Sequence, residues 1–217
     1  MSFFLTLFLA FLQVSVAGPK RDLTTIIKGV ERSFATMKDL SADFVQITKD
    51  SLNRRRQDSG HLYLMRPRMM RFEYKNPEEY LFLSDGKTVY QYVPADRQVN
   101  KEAVRDTLDD RIPLMFLLGR ANLSAEFHRF EDDTSIKPFF PGTRIVKMYP
   151  KRKSDLTELV MEVDVANYQL RRLYFTHADG QHSEFIFSNI RINGGLRQSL
   201  FQFKVPPGVQ VVDGIGS

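Results

Sequence analysis

The spacing of apolar residues changes along the chain, from that of a helix to that of strands. Behind Asp22, a residue type that caps helix N-termini, apolar residues recur at helical spacing and predict an amphipathic helix over residues 23–38. From Ser41 onward, apolar and polar residues alternate, which is typical of half-buried strands. Ten short strands are predicted, at 42–50, 60–66, 69–75, 80–84, 87–93, 143–149, 157–165, 170–177, 182–192 and 199–204.

Residues that favour tight turns separate most of these strands. Asp85-Gly86, Asp179-Gly180 and Asn193-Gly194-Gly195 are the clearest cases. Short strands joined by tight turns indicate an antiparallel meander, folded as a sandwich, a barrel or a curved open sheet.

The stretch 102–131 interrupts the strand pattern. Pro113 suits the first turn of a short helix, and Gly119 suits its end. The residues between them are apolar on every side, so this helix must be buried or must cover another surface. They are Leu114, Met115, Phe116, Leu117 and Leu118. A second short helix is predicted through Leu123, Phe127 and Phe130, which makes the stretch a small helical insert that plugs or covers the sheet.

The N-terminal segment is not expected to belong to the fold. Residues 3–12 are almost entirely apolar, too short for a bilayer-spanning helix of about 20 residues but suited to a secretory signal peptide. The small residues Ser15 and Ala17 mark a cleavage site. A signal peptide over residues 1–17 leaves 18–217 as a single exported domain. Because the first residues contain no Lys or Arg, an uncleaved anchor and a buried helix are the alternatives.

Composition and motifs exclude several classes of protein. The 217 residues include no Cys, so disulfides, thiolate metal sites and cysteine nucleophiles are excluded. No nucleophile elbow, zinc-protease motif, phosphate-binding glycine loop or dinucleotide fingerprint occurs. The four His are scattered without a third metal ligand nearby. The sequence therefore predicts no catalytic residue, no metal and no cofactor.

Charge and aromatic content leave more than one interpretation open. The net charge is +5, with basic clusters at Arg54-Arg55-Arg56 and Lys151-Arg152-Lys153. Solvated loops are the plain interpretation, and an acidic partner, lipid headgroups or nucleic acid are the alternatives. Because an exported domain rarely meets nucleic acid, none is expected as a partner. The 18 Phe and 8 Met can fill a core or line a space for a flexible apolar guest.

One arginine occupies an even-numbered position, as do the residues that form an apolar strand face. Arg66 follows this face and precedes Pro67, whose turn weakens the parity argument. An unpaired buried charge costs several kcal/mol. Arg66 therefore either extends to water or binds backbone carbonyls of the helical insert with its guanidinium donors. The face itself is formed by Leu62, Leu64, Met70, Phe72 and Tyr74.

An ordered set of segments between residues 22 and 213 resembles the LolA family of outer-membrane lipoprotein carriers. The quoted segments are Phe44-x-Gln46, GHLYLMRP at 60–67, MRFEY at 70–74, LSDGKTVY at 83–90, Pro113-Leu114-Met115 and FQFKVPPGV at 201–209. None of them is specific alone, but their order is.

The resemblance implies a mainly β fold, an incomplete, half-open antiparallel barrel covered by a small helical lid and an N-terminal helix. Residues 113–117 would form the lid, and Arg66 would hold it closed. The apolar face would line a cavity for acyl chains. The protein would be a monomeric, non-enzymatic periplasmic chaperone that accepts acylated lipoproteins from a LolCDE-type inner-membrane transporter. It would hand them to a LolB-type receptor, which is lipid-anchored through a Cys that this chain lacks.

Two rival functions remain at this point. The first is a regulatory protein of the same fold that senses lipid or lipoprotein, although such proteins usually carry a second domain. The second is a periplasmic lipid-modifying hydrolase, for which the sequence offers no recognisable Ser/His/Asp set. Turnover of acyl esters would separate an enzyme from a carrier.

Overall fold

A computed structural model describes residues 22–104, 122–152 and 155–214. The predicted helix of the insert, with Pro113, Leu114, Met115, Phe116 and Leu117, lies outside the described residues, as does the N-terminal segment. The elements are, in chain order, α1 (Leu23–Thr36), β1 (Asp39–Lys49), β2 (Arg55–Met65), β3 (Met69–Asn76), β4 (Tyr80–Asp85), β5 (Thr88–Val93), β6 (Gln98–Ala103), α2 (Leu123–Glu126), β7 (Phe127–Asp132), β8 (Thr143–Pro150), β9 (Leu156–Asp164), β10 (Leu170–His177), β11 (His182–Ile192), a 3₁₀-helix (Gln198–Phe201) and β12 (Gln210–Asp213).

The twelve strands of the described chain form one open sheet. Their order is β12-β6-β5-β4-β3-β2-β1-β11-β10-β9-β8-β7, and the edge strands β12 and β7 do not pair with each other. Neighbouring strands are antiparallel except for β12, which runs parallel to β6. The predicted mainly β, half-open antiparallel barrel is confirmed.

Helix α1 covers one face of this sheet. Asp22 caps it as predicted, since its carboxylate accepts the Thr25 N–H at 2.6 Å. Its apolar stripe packs into one cluster with side chains from both halves of the sheet, from Phe82 on β4 to Met148 on β8. The face turned toward α1 is called the inner face below. The helix ends at Thr36, two residues earlier than the spacing predicts.

The predicted helix through Phe127 and Phe130 was wrong beyond its first turn. Only α2 is helical, and Phe127 begins strand β7. A bulge between Phe127 and Arg129 adds one residue to the strand. The two phenylalanines therefore share a face despite their helical spacing, and their ring centroids lie 6.3 Å apart.

The predicted strand at 199–204 was also wrong. Residues 198–201 form a 3₁₀-helix, and an extended segment follows that crosses the outer face of the sheet. The 3₁₀-helix contacts β3 and β4, and the Phe203 ring lies 5.2 Å from that of Tyr90. Every second residue of this segment packs on the sheet, although the segment makes no ladder pairs. Its apolar residues therefore repeat with the period of a strand. Residues 198–213 are called the C-terminal strap below.

Strands β6 and β12 were not predicted, and β2 begins at Arg55 rather than at residue 60. Val99 is the one fully buried residue of β6, because the strand is polar elsewhere. Strand β12 is held by a single neighbour, so its sequence needs little apolar content. Neither strand carries the alternation on which sequence prediction depends.

A buried glutamate holds a second covering segment on the outer face. Glu162 is only 1% exposed. Its carboxylate accepts the backbone N–H of Phe139 at 3.1 Å and of Phe140 at 2.8 Å, and the Thr143 hydroxyl at 2.6 Å. The Arg172 guanidinium lies 3.5 Å away. Because buried charges need such partners, the segment before β8 is fixed against the sheet.

Candidate functional site

The inner face of the sheet is apolar and rich in aromatic rings. Phe44 on β1 is at the centre, with ring centroids 5.3 Å from Phe72, 5.0 Å from Tyr74 and 5.9 Å from Phe185. Such edge-to-face contacts add to the stabilisation that burial provides. The predicted alternation is confirmed here, because Leu62 lies opposite Phe72 and Leu64 lies opposite Met70 in the β2–β3 ladder.

A small cavity lies between the C-terminal half of α1 and this inner face. Its volume is about 30 Å³, and its walls are almost wholly apolar. Phe34 and Met37 contribute the wall on α1. The sheet contributes Leu40, Ala42, Leu62, Leu64, Leu170, Phe187, Ile190 and Ile192. A cavity of this size holds about two water molecules and no acyl chain.

The predicted site residues separate into two groups. Leu62 and Leu64 line the cavity directly. Met70, Phe72 and Tyr74 lie on the same face but within packed core, and Phe72 is 3% exposed. Contact of these three with an acyl chain stays a prediction. Sequence reasoning missed the walls from α1 and β11, although the period-two pair Phe185 and Phe187 marks the inner face of β11.

Arg66 connects the end of β2 to the last turn of α1. Its guanidinium Nη2 donates to the backbone carbonyl of Phe34, and its backbone N–H donates to the Lys38 carbonyl at 3.0 Å. The last carbonyls of a helix lack intrahelical partners, and a cation there is favoured by the helix dipole. Arg66 is therefore held by α1, and its predicted contact with the helical insert stays a prediction. Contacts with residues 113–118 lie outside the described residues.

The Nε atom of Arg66 is buried and finds no hydrogen-bond partner among the described residues. A buried donor without a partner costs about 1–3 kcal/mol. Among the described residues the guanidinium is therefore incompletely satisfied.

The chain just after α1 is fixed by the turn that follows β11. The Asn193 side chain accepts the Lys38 N–H at 2.7 Å. The Asp39 carboxylate accepts the N–H groups of Gly194 at 2.7 Å and Gly195 at 3.1 Å. Because Asp39 and its neighbours are anchored, movement of α1 relative to the sheet must occur at or before Met37.

The far end of the inner face is polar, and the buried Asp58 carboxylate there pairs with Arg56 at 2.9 Å. The Tyr74 hydroxyl donates to the Gln46 side-chain oxygen at 2.6 Å, and the Tyr80 ring lies 5.3 Å from that of Tyr74. Burial raises the pKa of both tyrosines well above the usual value. Both hydroxyls therefore stay protonated at physiological pH, so they add no charge to this apolar face.

Neither a metal centre nor a membrane-spanning helix is found in the described ranges. No three His, Cys, Asp or Glu side chains there come together in a way that could hold a metal ion. No helix within the same residues is both long and apolar enough to cross a bilayer.

The family model of the outer membrane lipoprotein carrier protein LolA matches residues 35–204 of this chain. This chain belongs to the LolA family. The match includes the inner-face strands, Arg66 and the cavity wall formed by Met37, whereas nearly all of α1, with Phe34, lies before its first residue.

Relatives in the LolA family cover most of the chain. An outer-membrane lipoprotein carrier protein from Haemophilus influenzae (strain PittEE) is 33% identical over 189 residues, with 85% of each chain covered. A protein of the same description from Chromohalobacter salexigens is 29% identical over 188 residues, covering 85% of this chain and 86% of the relative.

A solved structure shares the fold without bearing on function. An uncharacterized conserved protein from Thermus thermophilus superposes with a TM-score of 0.55 at 13% identity. The superposition covers 88% of this chain and 98% of that chain. At this level of identity the likeness shows the fold alone.

Proposed function

We propose that this protein is a lipoprotein carrier that binds the acyl chains of its cargo against the inner face of the sheet. The observation that carries the proposal is the apolar cavity between α1 and β2, closed by a helix that Arg66 holds at its last turn. Membership of the LolA family supports it, since relatives are described as outer-membrane lipoprotein carrier proteins.

In this proposal α1 moves during loading, because the cavity of about 30 Å³ is too small for an acyl chain. Opening exposes the apolar stripe of the helix, namely Ile26, Ile27, Val30, Phe34 and Met37. Each acyl CH₂ that replaces this stripe against the sheet contributes about 0.8 kcal/mol. The exchange of one apolar surface for another keeps the net affinity moderate, which suits a protein that must also release its cargo.

The carrier performs no covalent chemistry in this proposal. Its inner face offers mainly apolar side chains, with two protonated tyrosine hydroxyls and the Arg56–Asp58 pair at one end, and cargo binding depends on apolar burial. Direction of transport then depends on differences in affinity between donor, carrier and acceptor. This role matches that of a binding protein rather than a lipid-modifying hydrolase.

The proposed path of the cargo runs from the inner to the outer membrane through the periplasm. Export through the signal peptide at residues 1–17 brings the carrier to the periplasm. It acts there as a monomer. A LolCDE-type transporter would load it, and a LolB-type receptor would unload it. N-terminal sequencing of the periplasmic protein is expected to begin at Gly18, and a chain that begins at Met1 in the membrane fraction would contradict this location.

Co-purification tests the carrier function. The tagged protein is isolated from the periplasm of cells that express a lipoprotein or the same lipoprotein with its lipid-modified Cys replaced by Ala. The acylated form is expected to co-purify, and the form without acyl chains is not. Equal recovery of the two forms would contradict acyl recognition.

A further inference from the structure

The β1–β2 hairpin ends in an exposed leucine. Leu52 is 71% exposed, more than any other large hydrophobic side chain of the described chain. The last ladder pair between β2 and β3 joins Ser59 to Asn76, so the hairpin extends past β3 beyond that pair. Residues 49–55 are called the hairpin tip below. An apolar side chain at a protruding apex loses free energy in water and gains it on entering an apolar phase.

The turn that carries Leu52 is ordered by hydrogen bonds. The Asp50 carboxylate accepts the N–H groups of Leu52 and Arg54, both at 2.9 Å, and the Arg54 Nε–H at 2.6 Å. These bonds, the one from the Arg54 backbone above all, lower the pKa of Asp50. Asn53 adopts the left-handed conformation, with φ of 61°, which asparagine tolerates. The leucine is thus held at the apex rather than placed there by a loose loop.

Cations lie side by side behind this apex. Lys49 is directly opposite Arg55 in the β1–β2 ladder, and His182 lies opposite Lys49 on β11. Like charges placed directly opposite each other destabilise a sheet. Across the described ranges, no carboxylate pairs with Lys49 or Arg55, whereas Arg54 pairs with Asp50. The hairpin tip contains three basic residues and one acidic residue, a net charge of +2.

We propose that the hairpin tip docks on the surface of an anionic phospholipid bilayer. Leu52 would enter the headgroup region while Lys49 and Arg55 contact lipid phosphates, which relieves their mutual repulsion. A nucleic acid would satisfy the cations but would give the exposed leucine no apolar phase, and an acidic protein would need an apolar pocket beside its carboxylates to receive it. The inference goes beyond the proposed carrier function, because it concerns how the protein meets a membrane and uses no residue of the cavity.

Vesicle flotation of the mature protein tests this inference. Vesicles of phosphatidylcholine alone are compared with vesicles that also contain phosphatidylglycerol, at low and high salt. Binding is expected only with phosphatidylglycerol and is expected to fall as salt rises. Lys49→Gln and Arg55→Gln should each weaken binding about five-fold. Leu52→Ser should weaken it on the same vesicles without changing its salt dependence.

The matched control removes two exposed cations at the other end of the sheet, by Lys87→Gln and Arg197→Gln. It loses two positive charges, as does the combined Lys49→Gln and Arg55→Gln variant with which it is compared, and it is expected to bind vesicles as the unaltered protein does. Equal loss in the control and in the tip variants would overturn the proposal. So would binding that is independent of anionic lipid, or tip-dependent binding to heparin or single-stranded DNA that does not require Leu52.

Two variants distinguish a failure of this inference from a failure of the proposed carrier function. Leu64→Glu alters the cavity wall and is expected to lose acylated cargo while keeping vesicle binding. Leu52→Ser is expected to accept acylated cargo from detergent solution as the unaltered protein does. Loss of vesicle binding in Leu64→Glu, with its melting temperature retained, would place the membrane contact at the cavity and overturn the assignment to the tip.

Discussion

At the scale of single residues, Arg66 decides how firmly α1 closes over the inner face. Its hydrogen bond to the Phe34 carbonyl exists only while the last turn of α1 stays docked. A cargo chain that displaces this turn must break the bond. By linkage, whatever the bond contributes to the empty, closed protein is subtracted from the affinity for cargo.

Replacing Arg66 tests this linkage. A hydrogen bond to a charged group contributes about 1.5–3 kcal/mol, so Arg66→Leu is expected to bind acylated cargo about 10- to 100-fold more tightly. The variant should accept lipoprotein and fail to release it to an acceptor. A transfer assay with preloaded carrier measures both steps. Arg32→Leu removes an exposed charge from α1 without this bond and should transfer normally, whereas normal transfer by Arg66→Leu would reject the linkage.

Two buried leucines, one on each face of the sheet, allow the roles of the two faces to be compared. Leu62 lines the cavity at 1% exposure, and Leu83, at 0% exposure, lies outside the inner-face cluster. Each change to Ala is expected to lower the free energy of unfolding by about 2–5 kcal/mol. Only Leu62→Ala should also change the affinity for an acylated peptide. Denaturant unfolding and a binding titration on both variants check this, and an equal change in affinity would reject the two-face account.

The sequence predicted which residues share the inner face but not what Arg66 contacts. Strict alternation places Leu62, Leu64, Phe72 and Tyr74 on one side, because a strand turns each successive side chain through half a revolution. The partner of Arg66 is a backbone carbonyl more than thirty residues away in sequence. Backbone atoms leave no trace in composition, so no pattern in the sequence could name Phe34.

At the scale of elements, the contact of α1 with the sheet depends on a glycine. A Cβ added at Gly29 would lie 2.2 Å from a ring atom of Tyr168, so the helix approaches the β9–β10 turn more closely than alanine permits. In an exposed helix, Gly→Ala stabilises by roughly 1 kcal/mol. Here the same change must displace either α1 or the Tyr168 ring.

Gly29→Ala is therefore expected to loosen α1 and to speed entry of an acyl probe, despite the better helix propensity of alanine. Stopped-flow fluorescence with an environment-sensitive fatty acid measures the rate of entry. Gly29→Ala combined with Tyr168→Ala removes the clashing ring and should return the rate toward that of Tyr168→Ala alone. An unchanged rate in the single variant would show that α1 does not control access.

The C-terminal strap stabilises the outer face and has no expected part in binding. Phe201 is 1% exposed, and the Arg71 guanidinium donates to the Leu200 carbonyl at 3.1 Å. Phe201→Ala should lower the free energy of unfolding by about 3–5 kcal/mol. Affinity for acylated cargo, measured well below the melting temperature, should stay within two-fold. A large loss of affinity in a folded variant would assign the strap to the site.

Element boundaries show where sequence patterns mislead. Phe201 and Phe203 alternate like strand residues, yet they lie before β12, in the part of the strap that makes no ladder pairs, because packing on a sheet imposes the same period as pairing within one. Phe127 and Phe130 have helical spacing, yet a bulge places them on one face of a strand. Both errors arise because periodicity reports which side is buried and not which hydrogen bonds are made.

At the scale of the whole molecule, the two faces of one open sheet are covered by different segments. Its inner face, with α1, forms the closed apolar site, and its outer face is covered by the strap and by the segment that Glu162 holds. In a closed barrel the two edge strands are paired with each other. In this open sheet they are not, so their separation can change when α1 moves. The many short strands predicted an antiparallel meander and left its closure open, and the resemblance to the LolA family implied the half-open barrel.

The most direct test of the account is site-specific photocrosslinking with acylated lipoprotein at two adjacent residues of β2. Leu64 lines the inner cavity, and Tyr63 points to the outer face. A photoreactive residue at position 64 is expected to crosslink to the acyl chains of loaded cargo, and one at position 63 is not. Equal crosslinking at both positions, or none at 64 while cargo is bound, would contradict acyl binding on the inner face.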